Sequence, residues 1–377
     1  ANKLRSGKFQ STHSPAPLVV DTVQSPTLLT PLSSQEERIF TGRMSNEDET
    51  IDTAAVGASV VTSTESNSKR SSSSSGSSDN NIVKTIIFDV DDTLYDVSSG
   101  FTTHRQGEVI YQYMVDHLHF KSIEEAKIIR DKYFKLYHST GKALTVAQSE
   151  DELPVGAPTF DIQHMAQYWV DHLNYNILWG CDSTYASTTK KYDSIDDAKR
   201  SKQLFYNDML ELKKSIKIVA FSNGPRSYVV KVLKTLQLWD LFGSNEDADD
   251  GKYVFGVDDV LPYCKPEKES FEKILTVLNN NNDDENNNDK DNGTKSKRNI
   301  RPEECIMVED SMKNIRAAKA LGMKTILITG SSEDGRDLPG DAPSTDDPAV
   351  DIAFQTIEEM KIKLPGLWQN PSIFEPY

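Results

Sequence analysis

Thr85-Ile86-Ile87-Phe88-Asp89-Val90-Asp91-Asp92-Thr93-Leu94-Tyr95 runs an apolar, β-branched stretch directly into a group of carboxylates. The apolar part reads as a buried strand. Side chains alternate faces along a strand, so Asp89 and Asp91 point the same way beyond its carboxyl end. Open α/β sheets bind their ligands in that crevice. The same residues also suit plain structure, because Asp-rich turns commonly follow strands and Asp92 or Thr93 is a fitting helix cap.

Two later stretches share this design, and a third sets a lysine ahead of a helix. Lys217-Ile218-Val219-Ala220-Phe221-Ser222-Asn223 is a second apolar strand, ending in a hydroxyl and an amide ahead of Gly224-Pro225 and a helical stretch. Hydroxyls and the N–H groups of a helix start donate to anionic oxygens, although Ser and Asn are also ordinary turn residues. In Cys264-Lys265-Pro266-Glu267 the proline is expected in the first turn of a helix carrying Phe271, Ile274, Leu275 and Leu278. Lys265 just ahead of it is either a solvated charge or a point charge for a phosphate. Ile306-Met307-Val308-Glu309-Asp310-Ser311 is a third strand that ends in adjacent acids, with Asn314 one helical turn on.

Taken together and in this order, DVDDT, Ser222, Lys265 and Glu309-Asp310 resemble the four motifs of the haloacid dehalogenase (HAD) superfamily. The resemblance covers about residues 82–278 and 302–369. FDVDDTLYDVSSG from Phe88 to Gly100, Tyr113-Met114, Lys231 to Leu238 and Leu364 to Trp368 look like its pyrimidine 5′-nucleotidase-like branch. Gly141 to Lys214 departs from that branch in length and in residues, and Ser222 stands where the branch usually has threonine. Both departures bear on which substrate is taken.

The bulk properties narrow the partners. The chain has 377 residues, long enough for two domains, but only 37% of them are hydrophobic, so part of it is expected not to fold. A formal net charge of −16 argues against nucleic acid and anionic membranes as partners, since phosphate backbones need basic surfaces. A small phosphate ester needs only local positive charge. Cys181, Cys264 and Cys305 are odd in number and widely spaced, which fits a reducing compartment and supports neither a disulfide framework nor a zinc ribbon. Cytoplasmic residence is expected. Organelle targeting stays open, with Glu36, Glu37, Glu47, Asp48 and Glu49 counting against a transit peptide across the tail.

The expected fold class is α/β, a doubly wound parallel sheet of the HAD-like Rossmannoid type with an inserted helical cap. Residues 1–81, rich in Ser and Thr, are read as a disordered tail whose protein partners are unknown. Residues 82–95 and 215–377 form the catalytic core, interrupted by a low-complexity surface insertion over 279–300, and 96–214 form the cap. Apolar periodicity predicts helices over 101–118, 123–137, 162–173 and 195–212, with a Ser122/Glu125 capping box and a loop from Trp179 to Asp193. Strands are expected at 216–221, 305–308, 325–328 and 351–354, and Gly322 should close the helix before Thr325. His104, Tyr168, Trp169, Tyr175 and Trp179 are read as helix packing rather than substrate contacts.

The resemblance implies a phosphomonoester hydrolase in which Asp89 is the nucleophile, giving an aspartyl-phosphate, and Asp91 is acid and then base. Asp89, the backbone carbonyl of Asp91 and Asp310 would hold Mg2+, with Glu309 direct or through water. Ser222, Asn223 and Lys265 would bind the phosphoryl group, and Asn314 would stand behind them. Haloacid dehalogenation uses the first Asp without the second, so Asp91 favours phosphatase or phosphomutase chemistry. The expected substrate is a pyrimidine nucleoside 5′-monophosphate. A sugar phosphate, phosphoglycolate, a mutase reaction, or a non-catalytic phosphate sensor or scaffold are the alternatives.

Overall fold

The computed structural model describes residues 82–181, 191–243, 251–285, 299–331, 342–370 and 374. The tail predicted over 1–81, the middle of the loop after Trp179 and most of the Asn/Asp-rich run lie outside these residues. Six apolar stretches build one parallel sheet: β1 (Thr85–Phe88), β2 (Lys217–Phe221), β3 (Val254–Phe255), β4 (Cys305–Glu309), β5 (Lys324–Ile328) and β6 (Ile352–Phe354). Their order is β3-β2-β1-β4-β5-β6. The chain therefore moves outward one way from β1, returns to its other side at β4, and leaves a topological switch point between β1 and β4.

Register carries the two-residue alternation across the sheet. Ile86 pairs with Ile218 on one side and Ile306 on the other, and all three pack on the same face. Ile87, Val219 and Met307 form the next row and face the opposite way. Both faces are covered, which is why β1 and β4 are buried throughout rather than alternating with solvent.

Between β1 and β2 the described chain is helical and holds no strand. It comprises α1 (Phe101–His104), a π-turn at Arg105–Val109, α2 (Ile110–Leu118), α3 (Ile123–Tyr137), α4 (Thr140–Ser149), α5 (Ile162–His172) and α6 (Ile195–Lys213). Ser122 caps α3 by accepting from the Glu125 N–H at 3.3 Å, while the Glu125 carboxylate reaches the Lys121 N–H at 2.9 Å rather than that of Ser122. Trp169, Tyr175 and Trp179 are buried in the apolar core of this block, as packing residues should be.

After β2 come α7 (Arg226–Thr235), α8 (Val257–Val260), α9 (Lys268–Glu285) and α10 (Met312–Ala320). Tyr228, Val229, Val232 and Leu233 of α7 cover one face of the sheet; Phe271, Ile274, Leu275 and Leu278 of α9 cover the other. Two expectations change here. Pro266 sits in the turn ahead of α9 rather than in its first turn, and the helix runs on past Leu278 to Glu285. Asn279 explains part of that extension, because its amide brackets Ile300 with bonds of 3.1 and 2.6 Å and ties the two ends of the Asn/Asp-rich run together. Gly322, at φ 96°, closes α10 in the left-handed region. No helix among the described residues is long and apolar enough to cross a membrane.

Candidate active site

Three adjacent strands end at one place. The Asp89 N–H bonds the Val308 carbonyl at 2.9 Å, which extends the β1–β4 ladder by one residue and fixes Asp89 beside the end of β4. Glu309 is the last residue of β4 and Ser222 follows β2 directly. Lys265 arrives from the turn before α9, with its ammonium 2.6 Å from Asp89 Oδ1 and 2.7 Å from Glu309 Oε2. Its side chain is only 1% exposed, so this is a buried contact rather than a surface pair.

Asp89, Glu309 and Asp310 bring one oxygen each within 4.8 Å of one another. The Asp91 carboxyl group is not part of that cluster, in keeping with an expected role for its backbone carbonyl rather than its side chain. Tyr95 and Tyr228 donate their hydroxyls to its Oδ1 at 2.7 and 2.5 Å, while Ser222 and the Arg105 guanidinium approach Oδ2 at 3.2 and 3.3 Å.

The electrostatics separate into two halves. Arg105 pairs with Asp91, and the Lys265 ammonium with Asp89 and Glu309. Burial and the Glu309 charge push Asp89 up to about 8 although Lys265 opposes them. Burial likewise raises Glu309 to about 7. Three carboxylate oxygens this close together form an all-oxygen donor set that suits a hard divalent ion. These residues fit such a group. Burial and the Asp91 charge hold the Tyr95 phenol, and burial with Asp91 the Tyr228 phenol, well above the usual range, so both remain hydrogen-bond donors.

Asn223 takes a different place from the one expected. Its Oδ1 accepts the Lys265 N–H at 2.9 Å and its Nδ2 donates to the Lys265 carbonyl at 2.8 Å and to the His138 carbonyl at 3.3 Å. With both ends of the amide committed, Asn223 clamps the backbone that presents Lys265 instead of offering itself to a phosphate. Ser139, the cap of α4, donates to the Asn223 carbonyl at 3.0 Å, so the helical block meets the sheet at this clamp. Ser222 donates to Asp91 and accepts the Gly224 N–H at 2.9 Å. Gly224 has to be glycine here, since an added Cβ would lie 2.8 Å from the Tyr228 ring. Asn314 is buried on α10 and lines the same space.

That space is a cavity of about 530 Å³ with Asp89, Asp91, Ser222, Lys265, Glu309 and Asp310 on its floor. Gln106 and the α3 residues Lys127, Arg130, Asp131 and Phe134 line its other side. Spacings of three and four residues put the α3 group on one helix face. Arg130 lies over the Phe134 ring at 3.8 Å and pairs with Asp131 at 3.0 Å. Arg105, Tyr228 and the α3 face were not read as site residues from the sequence. Tyr95 was already inside the first motif, and the helical repeat 127, 130, 134 was a signal for a shared face, but nothing local shows that Arg105 and Tyr228 meet at Asp91.

The family model for haloacid dehalogenase-like hydrolases matches residues 83–322, more than half of the chain. Among solved structures, an L-2-haloacid dehalogenase from Xanthobacter autotrophicus is 16% identical, covering 76% of this chain and 99% of the other at a TM-score of 0.39. A HAD phosphatase from Thermococcus onnurineus is 17% identical, covering 75% of this chain and 99% of the other at a TM-score of 0.40.

Proposed function

Because this chain belongs to the haloacid dehalogenase-like hydrolase family, we propose that it is a Mg2+-dependent phosphomonoesterase in which Asp89 is the nucleophile and Asp91 the acid and base. The observation that carries this reading is the division of the acids. Asp89, Glu309 and Asp310 bring one oxygen each within 4.8 Å of one another, with Lys265 bonded to the first two, while Asp91 is held apart on hydroxyls and a guanidinium. One group of acids suits a cation and the other suits proton transfer.

Asp89, Glu309 and Asp310 would hold the ion, which when bound offsets the negative charge that otherwise repels a nucleophile from a phosphate ester. An Asp89 oxygen forms a bond to phosphorus as the ester P–O bond breaks, and the departing oxygen takes its electron pair and the proton of Asp91. Asp91, then a carboxylate, removes a proton from water. The resulting hydroxyl attacks phosphorus and releases phosphate from Asp89. Lys265 and the Ser222 hydroxyl donate to phosphoryl oxygens as charge redistributes.

The leaving group faces α3. A half-buried Phe134 ring flanked by Gln106, Arg130, Asp131 and Thr140 combines an apolar platform with amide, carboxylate and hydroxyl groups. That combination supports a nucleoside, and the pyrimidine type is the form we favour. The cavity of about 530 Å³ has room for a nucleotide. The test is phosphate release by purified protein with MgCl2 from UMP, CMP, ribose 5-phosphate and phosphoglycolate. UMP and CMP should be the best substrates, and Asp89→Asn should abolish turnover. Equal or faster release from the sugar phosphate or phosphoglycolate overturns the nucleotide assignment. Release from none of them overturns the hydrolase reading.

A further inference from the structure

Asp91 is held from four separate stretches of chain, by Tyr95, Arg105, Ser222 and Tyr228. Three of these contacts are hydrogen bonds and the fourth, from Arg105, is an ion pair. The contacts are unequal. Those to Oδ1, at 2.7 and 2.5 Å, have the length of strong charge-assisted bonds, whereas those to Oδ2, at 3.2 and 3.3 Å, lie at the long end of the range. Oδ1 is an anchor and Oδ2 is exchangeable.

Arg105 differs from the other three in where it comes from. It sits on the π-turn of the helical block, nearly buried, with its guanidinium 5.2 Å from the Trp169 ring of α5 and 5.0 Å from the Tyr228 ring of α7. One ring belongs to the block and the other to the helix that covers the sheet. The Trp169 and Tyr228 rings stand 69° apart, so cation–π contact with both holds the guanidinium from two sides beside Asp91. Thr102, three residues earlier, reaches Asp92 at 2.9 Å, so the same segment touches the catalytic loop twice.

We propose that Tyr95, Tyr228 and Arg105 are positioning residues for Asp91, that Oδ2 is its working oxygen, and that Arg105 makes the aim of that oxygen depend on the seating of the helical block. This rests on the phosphatase reading. When a phosphoryl oxygen takes the Ser222 hydroxyl, one lone-pair site of Oδ2 is vacated, and the proton with which Asp91 enters the reaction as acid sits there and faces the leaving oxygen. The Oδ2–H bond breaks and the proton passes to the ester oxygen, which keeps the electron pair of its broken bond to phosphorus. Oδ1 stays on the two phenols throughout.

Two esters of similar shape separate this role from substrate binding and from folding. Benzyl phosphate leaves as an alcohol that needs a proton, while p-nitrophenyl phosphate leaves as a stable phenolate that does not. Positioned general-acid catalysis contributes about 100-fold or more, so kcat/KM for benzyl phosphate with Mg2+ should fall about 100-fold in Arg105→Gln and Tyr228→Phe. For p-nitrophenyl phosphate the fall should be at most about 3-fold, because no such proton is required. Tyr228→Phe removes one oxygen and keeps the ring, so it reads the same ratio should Arg105→Gln fail to fold. Equal losses on both esters, or no loss on benzyl phosphate, overturn the positioning role and leave the phosphatase reading standing. A wild-type protein that turns over neither ester overturns both.

Discussion

Lys265→Met keeps the length of a buried side chain and deletes the ammonium that faces Asp89 and Glu309 at 2.6 and 2.7 Å. Removing one partner of a buried ion pair typically costs about 3–5 kcal/mol. Here the cost should depend on pH. In the cation-free protein Asp89 titrates at about 8 and Glu309 at about 7, both raised by burial even with Lys265 present. A carboxyl raised in the folded state contributes stability at low pH that is lost as pH rises through those values. Without the ammonium both acids keep their protons to higher pH, and unfolding must release them. The extra loss should therefore be small near pH 6 and grow above about pH 7 by up to about 1.4 kcal/mol per pH unit for each retained proton. Urea unfolding in EDTA should show the variant about 3–5 kcal/mol below wild type near pH 9. An equal loss at both pH values, or a loss under about 1 kcal/mol near pH 9, would refute the charge assignment.

The same titrations set the expected response to metal: Mg2+ should raise the wild-type unfolding midpoint more near pH 9 than near pH 6, where protons occupy the site, and a pH-independent shift would count against binding at Asp89 and Glu309. At Glu358, burial favours the neutral form, but the facing Lys202 and Lys191 ammoniums at 2.7 and 2.8 Å outweigh it and hold the carboxyl well below its usual range. That stability is present above the ordinary Glu value and lost as pH falls through it; Glu358→Gln should unfold about 3–5 kcal/mol more easily near pH 7 and show a shallower loss between about pH 5 and pH 3 in denaturant titrations. Gly224→Ala pushes a Cβ to 2.8 Å from the Tyr228 ring, which should cost about 1–3 kcal/mol in denaturant unfolding and reduce turnover by displacing the phenol on Asp91. An alanine variant as stable and as active as wild type would show that the ring can yield.

The strands carrying chemistry were legible because each is an apolar run that stops at a polar group, and β1, β2 and β4 need both features to be buried and to end in a crevice. β3 escaped notice, since Val254–Phe255 is too short for any alternation to develop. The helix α4 was missed for a related reason: Thr140, Gly141, Lys142 and Thr145 dilute its apolar repeat, and its stability comes from the Ser139 cap and from packing on α3. The clamp that Asn223 makes could not be read locally, because its partners, Lys265 and His138, are remote in sequence. Arg105 and Tyr228 were invisible on the same ground, for a cation in a helical stretch is ordinarily solvated and a tyrosine one turn into a helix ordinarily core. Only the folded arrangement brings them to one carboxylate.

Asp89 is the attacking group in the proposed reaction. Its most direct test is acid quenching of wild-type protein during turnover of p-nitrophenyl phosphate with Mg2+, followed by mass spectrometry of the peptide that contains Asp89 and Asp91. A phosphorylated carboxyl is expected at Asp89 and should be absent from Asp89→Asn. A phosphoryl group found on any other side chain, or phosphate release that persists in Asp89→Asn, would contradict it.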